Sequence, residues 1–172
     1  MSAETIRRRD AIARLEAQRA TTLRLIDALP VRARTTPGLG GGEWSPKDLL
    51  GHLDSWERNA LDALDAWGRD DPAPIDVAFR TMSLTDVNRR QVERKARRSF
   101  RAVAADTERT HRELVAAIDA ITDRAWTRPA TSRGRRSLGH RLGQILVGVG
   151  PFGHDAAHHP SLRAFVDEHA RG

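Results

Sequence analysis

Three histidines carry the chemistry most legible in this chain: His52, and a hundred residues later His154 and His158. On a helix, residues at i and i+4 lie one turn apart on one face, so His154 and His158 can grip a single ion. His52 can add a third nitrogen from another helix. Three neutral imidazoles leave coordination positions open, the layout of a reactive site rather than a closed structural one. Spacing alone leaves alternatives open. His52 borders an apolar stripe, where a histidine can equally be packed and hydrogen-bonded. His159 can stand in for His158, although with Asp155 it reads as a surface charge pair. An H-x3-H pair without a glutamate after its first histidine also departs from the zincin pattern.

Positioning these residues requires long helices, and the chain offers four glycine- and proline-delimited pieces. The first runs from about Ala3 to Leu29 with the stripe Ile12, Leu15, Thr22, Ile26, Leu29. The second has a strong start: Ser45 as N-cap, Pro46 at the first position, Asp48 at N3, and Trp44 with Leu49 as a hydrophobic staple. It continues to about Trp67, burying Leu49, Leu53, Trp56, Ala60, Leu64 and Trp67, with His52 beside that face. The third is expected as one helix from about Leu84 to Ile121, carrying His111 on its buried stripe. The fourth is expected from near Ser137 to about Ala170, bent or split by Pro151 and Pro160, with Leu142, Ile145, Leu146, Val149 and Phe152 buried. The economical fold is all-α, an antiparallel four-helix bundle formed by a single domain over residues 1–172.

Composition narrows the function classes. Of 172 residues, 39% are hydrophobic and 30% charged, which fits a globular chain rather than a disordered one. Cysteine is absent, so there is no disulfide, thiolate ligand or internal thiol nucleophile. Thiol chemistry would need a thiol from a small cosubstrate. The net charge of +6 is almost wholly arginine, Lys47 and Lys95 being the only lysines. No nucleic-acid motif accompanies the charge and there is no tyrosine for base stacking, so nucleic acid is not an expected partner. No apolar segment follows Arg7, Arg8 and Arg9, and Leu142 to Phe152 is too short to span a bilayer, so the expectation is no membrane and a cytoplasmic location.

Two segments resemble a known family. Glu43-Trp44-Ser45-Pro46-Lys47-Asp48-Leu49-Leu50-Gly51-His52-Leu53, followed by Trp56-Glu57, looks like the helix-two signature of the DinB-like superfamily. His154-Asp155-Ala156-Ala157-His158-His159-Pro160-Ser161-Leu162-Arg163 resembles its closing helix. Within that group the ending is most similar to the ClbS/DfsB-like branch. The resemblance implies a four-helix bundle holding a divalent metal (zinc, nickel or iron) on His52, His154 and His158. It also implies thiol-dependent transfer, or reactions on reactive small molecules in detoxification and stress resistance.

Such a site would activate a low-molecular-weight thiol or water toward a small electrophile. Trp56 and His111 are candidates for the substrate pocket. Glu57, Asp155 and Glu168 are candidates to orient the imidazoles. Arg133, Arg135 and Arg136 can meet a carboxylate or phosphate, or simply face solvent. The alternative class is a non-catalytic bundle that binds a small molecule or pairs as a homodimer through its helix faces, which keeps the fold without needing the histidines.

Overall fold

The computed structural model describes residues 6–169. In chain order its α-helices are α1 (Arg8–Asp27), α2 (Pro46–Gly68), α3 (Pro74–Ala78), α4 (Leu84–Lys95), α5 (Phe100–Asp119), α6 (Asp123–Trp126), α7 (Leu138–Ile145) and α8 (His154–His169). The long helices α1, α2, α5 and α8 form the bundle. The expected helix ends at Ala3 and Ala170 lie outside the described residues.

Local chemistry explains the element starts. Ser45 and Asp48 close a full capping box on α2, each side chain taking the other residue's backbone N–H. Ser83, Ser99, Thr122 and Ser137 cap α4, α5, α6 and α7 through their hydroxyls.

Cross-helix contacts fix the directions. Arg8 reaches Asp119 and Arg19 reaches the Thr107 carbonyl, so α1 opposes α5. Thr107 donates to the Leu50 carbonyl and Arg58 donates to Glu113, so α2 and α5 run parallel. Gln18 accepts from the Ala156 N–H and Thr22 meets His159, so α8 runs alongside α1. The topology is up-down-down-up. A parallel neighbour needs a long return connection, and here it is the crossover 69–99 that carries α3 and α4.

The expected third helix is two helices. The chain leaves α4 after Lys95 and restarts at the Ser99 cap. Carbonyls freed at this break, those of Ala96 and Arg98, accept from the Lys47 ammonium. The fourth is also divided, but not at its prolines alone. Between α7 and α8 the chain turns through Gly148 to Gly153, with Gly150 and Phe152 at φ 76° and 56°. Val149, expected inside, is 66% exposed on this turn. Pro160 lies within α8 on its exposed side, and the helix continues through it.

The core has two apolar clusters. One gathers Leu15, Trp56, Ala60, Leu114, Leu142 and Phe152; the other gathers Ile26, Leu49, Leu53, Val103, Leu162 and Phe165. Between them on each long helix stand buried polar residues: Arg19 on α1, Glu57 on α2, Thr107 on α5 and Asp155 on α8. The apolar end is tightly packed. The Trp126 indole donates to the Ile6 carbonyl at 2.8 Å and lies directly against Gly139. A Cβ at Gly139 would overlap that ring. Gly139→Ala should therefore destabilise the protein by about 1–3 kcal/mol, read from the urea midpoint; an unchanged midpoint would show that α7 can shift freely.

Candidate metal centre

His52 sits two turns into α2, with Trp44 packed on its ring at a centroid distance of 4.9 Å. His154 opens α8 and His158 follows one turn later. The two elements bring all three rings together. The Nε2 atoms of His52 and His154 are 3.0 Å apart, and those of His158 and His154 3.4 Å. One nitrogen from each ring lies within 4.8 Å of the other two.

This donor set fits a divalent cation. A ring nitrogen carries either a proton or a lone pair, so three nitrogens facing one another satisfy each other poorly. Three lone pairs aimed at one cation match. Zinc–imidazole bonds of about 2.0–2.1 Å in a tetrahedron place ligand nitrogens about 3.3 Å apart, close to the 3.0 and 3.4 Å that separate His154 from His52 and from His158. Burial lowers all three imidazoles, His52 to about 2 and His154 to about 4; neighbouring rings of the set add to the effect on His52 and His154, and His159 adds to that on His158. The rings are thereby kept neutral, as ligation requires.

Beneath the histidines lies the buried polar layer. Arg19, 3% exposed, binds both Asp155 oxygens, Nε to Oδ2 at 2.9 Å and Nη2 to Oδ1 at 3.2 Å. Its Nη2 also meets Glu57 Oε1 at 3.1 Å. Thr22 donates to Asp155 Oδ2 at 2.9 Å. Burial raises the Asp155 carboxyl, but Arg19 and Thr22 outweigh it and hold the group below its ordinary range. Asp155 is thus an interior anchor for the first turn of α8, and the Asp155–His159 surface pair expected from spacing does not form. His159 instead places Nε2 3.0 Å from the Thr22 hydroxyl. Glu168 is exposed.

Above the histidines opens a cavity of about 480 Å³, walled by α2, α3, α4, α7 and the start of α8. Trp56 lines it, stacked against Phe79 at 6.3 Å and donating from Nε1 to Asn88 at 3.0 Å. Ile75, Leu84, Ile145 and Val147 make the rest mostly apolar. His111 is not among its lining residues: its Nδ1 lies 2.7 Å from Glu57 Oε1, on the far side of the polar layer. Arg19 was missed by the sequence reading, as were the crossover residues of the cavity wall. The signal for Arg19 was an arginine in register with Leu15 and Thr22, on the stripe that should be buried.

Fold and site together define a helical bundle with a three-histidine centre open to a cavity. The chain belongs to the DinB superfamily, whose family model matches residues 14–150. That match includes His52 and ends before His154 and His158, so the convergence of the α8 pair rests on geometry. A solved structure, that of an uncharacterised protein from Escherichia coli UTI89, has the same fold, with a TM-score of 0.76, 12% identity and coverage of 94% of each chain. No curated protein matches the chain.

Two outcomes follow from this geometry. Arg19→Met strands two buried carboxylates and should cost about 3–5 kcal/mol in urea unfolding; a loss under about 1 kcal/mol would show that Asp155 and Glu57 find other partners. The histidines set the acid response. They titrate near 6.5 when unfolded and lower when folded, His52 and His154 by a wide margin, so the unfolded chain binds more protons under pH 6.5. Chelator-treated protein should hold its full stability above that pH and lose it as pH falls, by about 1.4 kcal/mol per pH unit for each of His52 and His154 until their folded-state values are reached. A urea midpoint constant from neutral pH to about pH 5 would contradict this.

Proposed function

We propose that this protein is a divalent-metal-dependent enzyme in which His52, His154 and His158 hold the ion and the apolar cavity receives a small electrophile. The observation that carries the reading is the convergence of three neutral imidazole nitrogens at the base of a cavity large enough for a small molecule. A divalent cation on three imidazoles supplies the Lewis acidity that makes water or a small thiol nucleophilic at neutral pH.

The chain's own residues account for the rest. His154 and His158 are set by one helical turn, and Arg19 fixes that turn through Asp155. Trp56, held by Asn88 and backed by Phe79, gives a flat apolar wall against which a substrate can lie. Ile145 and Val147 add apolar surface to the cavity lining. With no cysteine in the chain, a thiol nucleophile must be a diffusible cosubstrate, and transfer of the electrophile to it or hydrolysis by water are the reactions this geometry favours. Removal of reactive small molecules is the role that suits such a site.

The test is metal content by elemental mass spectrometry on untagged protein and on His52→Ala and His158→Ala. The expected result is about one equivalent of zinc, nickel or iron in the parent and less than a tenth of that in either variant. A parent that carries no metal and takes up none from added zinc or nickel would overturn the reading and leave a binding cavity without the proposed chemistry.

A further inference from the structure

The cavity over the histidines shares two lining residues with a neighbouring concavity. Asp76 on α3 and Arg141 on α7 form an ion pair, and this pair lines both that cavity and a second concavity of about 370 Å³. Trp67, 6% exposed, forms its floor, with the Arg141 guanidinium 5.4 Å from the indole centroid. Its far wall is the loop between α6 and α7, which brings Arg135 and Arg136 to the opening.

That loop has defined structure. Ala130 N–H donates to the Arg136 carbonyl at 3.2 Å and Leu138 N–H to the Arg128 carbonyl at 2.8 Å. Ser132 is tied to Asp70 through both its backbone N–H and its hydroxyl. The charge balance is uneven. Asp76 is the one carboxylate lining the concavity and it is engaged by Arg141. Among the described residues, neither Arg135 nor Arg136 meets a carboxylate within ion-pair distance. The histidine side of the cleft, by contrast, is walled mainly by apolar side chains.

We propose that the second concavity is an anion subsite, so that the cleft takes an elongated amphiphile whose apolar end lies over the histidines and whose carboxylate or phosphate end is held by Arg135 and Arg136 beside Arg141. This deepens the substrate-site reading of the cavity and rests on it. A guanidinium meets two oxygens of a carboxylate or of a phosphate with paired hydrogen bonds. The Trp67 floor lowers the local dielectric on one side, while exposure of the two loop arginines leaves the attraction open to screening by salt. Asp76 holds Arg141 at the boundary that the two concavities share, so a ligand reaching both would lie over a charged pair.

The experiment is isothermal titration of zinc-loaded full-length protein with phenylbutanoate, phenylbutyl phosphate and the neutral phenylbutanol. At low salt at least one anion should bind about tenfold more tightly than the alcohol, and the preference should shrink as salt rises. The anion with the larger preference identifies the headgroup. In Arg135→Gln/Arg136→Gln the preference should vanish while alcohol affinity is unchanged. In Arg97→Gln/Arg101→Gln, which removes the same charge from the exposed junction of α4 and α5, it should persist. Equal affinities for anions and alcohol, no binding by any of the three, a preference that survives the loop substitutions, or one lost equally in the control would each overturn the proposal. Failure of the metal reading is separate: it appears as absence of zinc uptake, and the same titrations on metal-free protein still decide the anion preference.

Discussion

An arginine charge buried away from water is tolerated only when it is matched, and in this protein the match is made by three other helices. Arg19 of α1 takes Asp155 from α8, Glu57 from α2 and the Thr107 carbonyl from α5. Removing any partner leaves charge unbalanced in a medium of low dielectric, so the four helices have one mutual rotation and height that satisfies all the groups. Two apolar clusters above and below this layer supply burial, which is non-directional. The ionic layer supplies register, and the register of α8 places His154 and His158.

The same bundle dictates the cover over the site. Because α2 and α5 run parallel, the chain must travel back the length of the bundle between them. That return, residues 69–99, brings Phe79, Leu84 and Asn88 over His52 and Trp56. It is anchored by Lys95, whose ammonium reaches the Gly51 carbonyl at 2.6 Å and the Ser55 hydroxyl at 2.7 Å, with Asp54 alongside. Gly51 makes the approach feasible, since a Cβ there would crowd the Lys95 stem at 3.1 Å. The wall of the cavity is therefore a by-product of topology, pinned one residue away from His52.

Much of this was readable in sequence, for identifiable reasons. The α2 start is local: Ser45, Pro46 and Asp48 encode a cap within four residues, and the structure has it. The His154–His158 pair is local too, one helical turn. Residues that depend on distant partners were illegible. Asp155 looks like any surface acid until α1 is seen to bring Arg19 beside it. Ser99 is an ordinary serine in an unbroken polar run, and only the Lys47 contacts to Ala96 and Arg98 show why the helix stops there. Arg19 gave the one usable hint, a charge on a stripe otherwise spaced for burial. The crossover part of the cavity wall had none, because nothing local to Phe79, Leu84 or Asn88 tells that the segment before and at the start of the expected third helix folds over His52 and Trp56.

His52 and His154 are separated by 102 positions, yet their ring nitrogens touch. Any group that bridges them closes a loop of that length, and cross-linking about a hundred residues removes on the order of 4–5 kcal/mol of chain entropy from the unfolded ensemble in the polymer description. A chain without cysteine has no covalent way to make such a staple. A divalent ion held as proposed on its imidazoles would provide a reversible one, formed at neutral pH and released by acid or a chelator, a removable clasp between the second helix and the last.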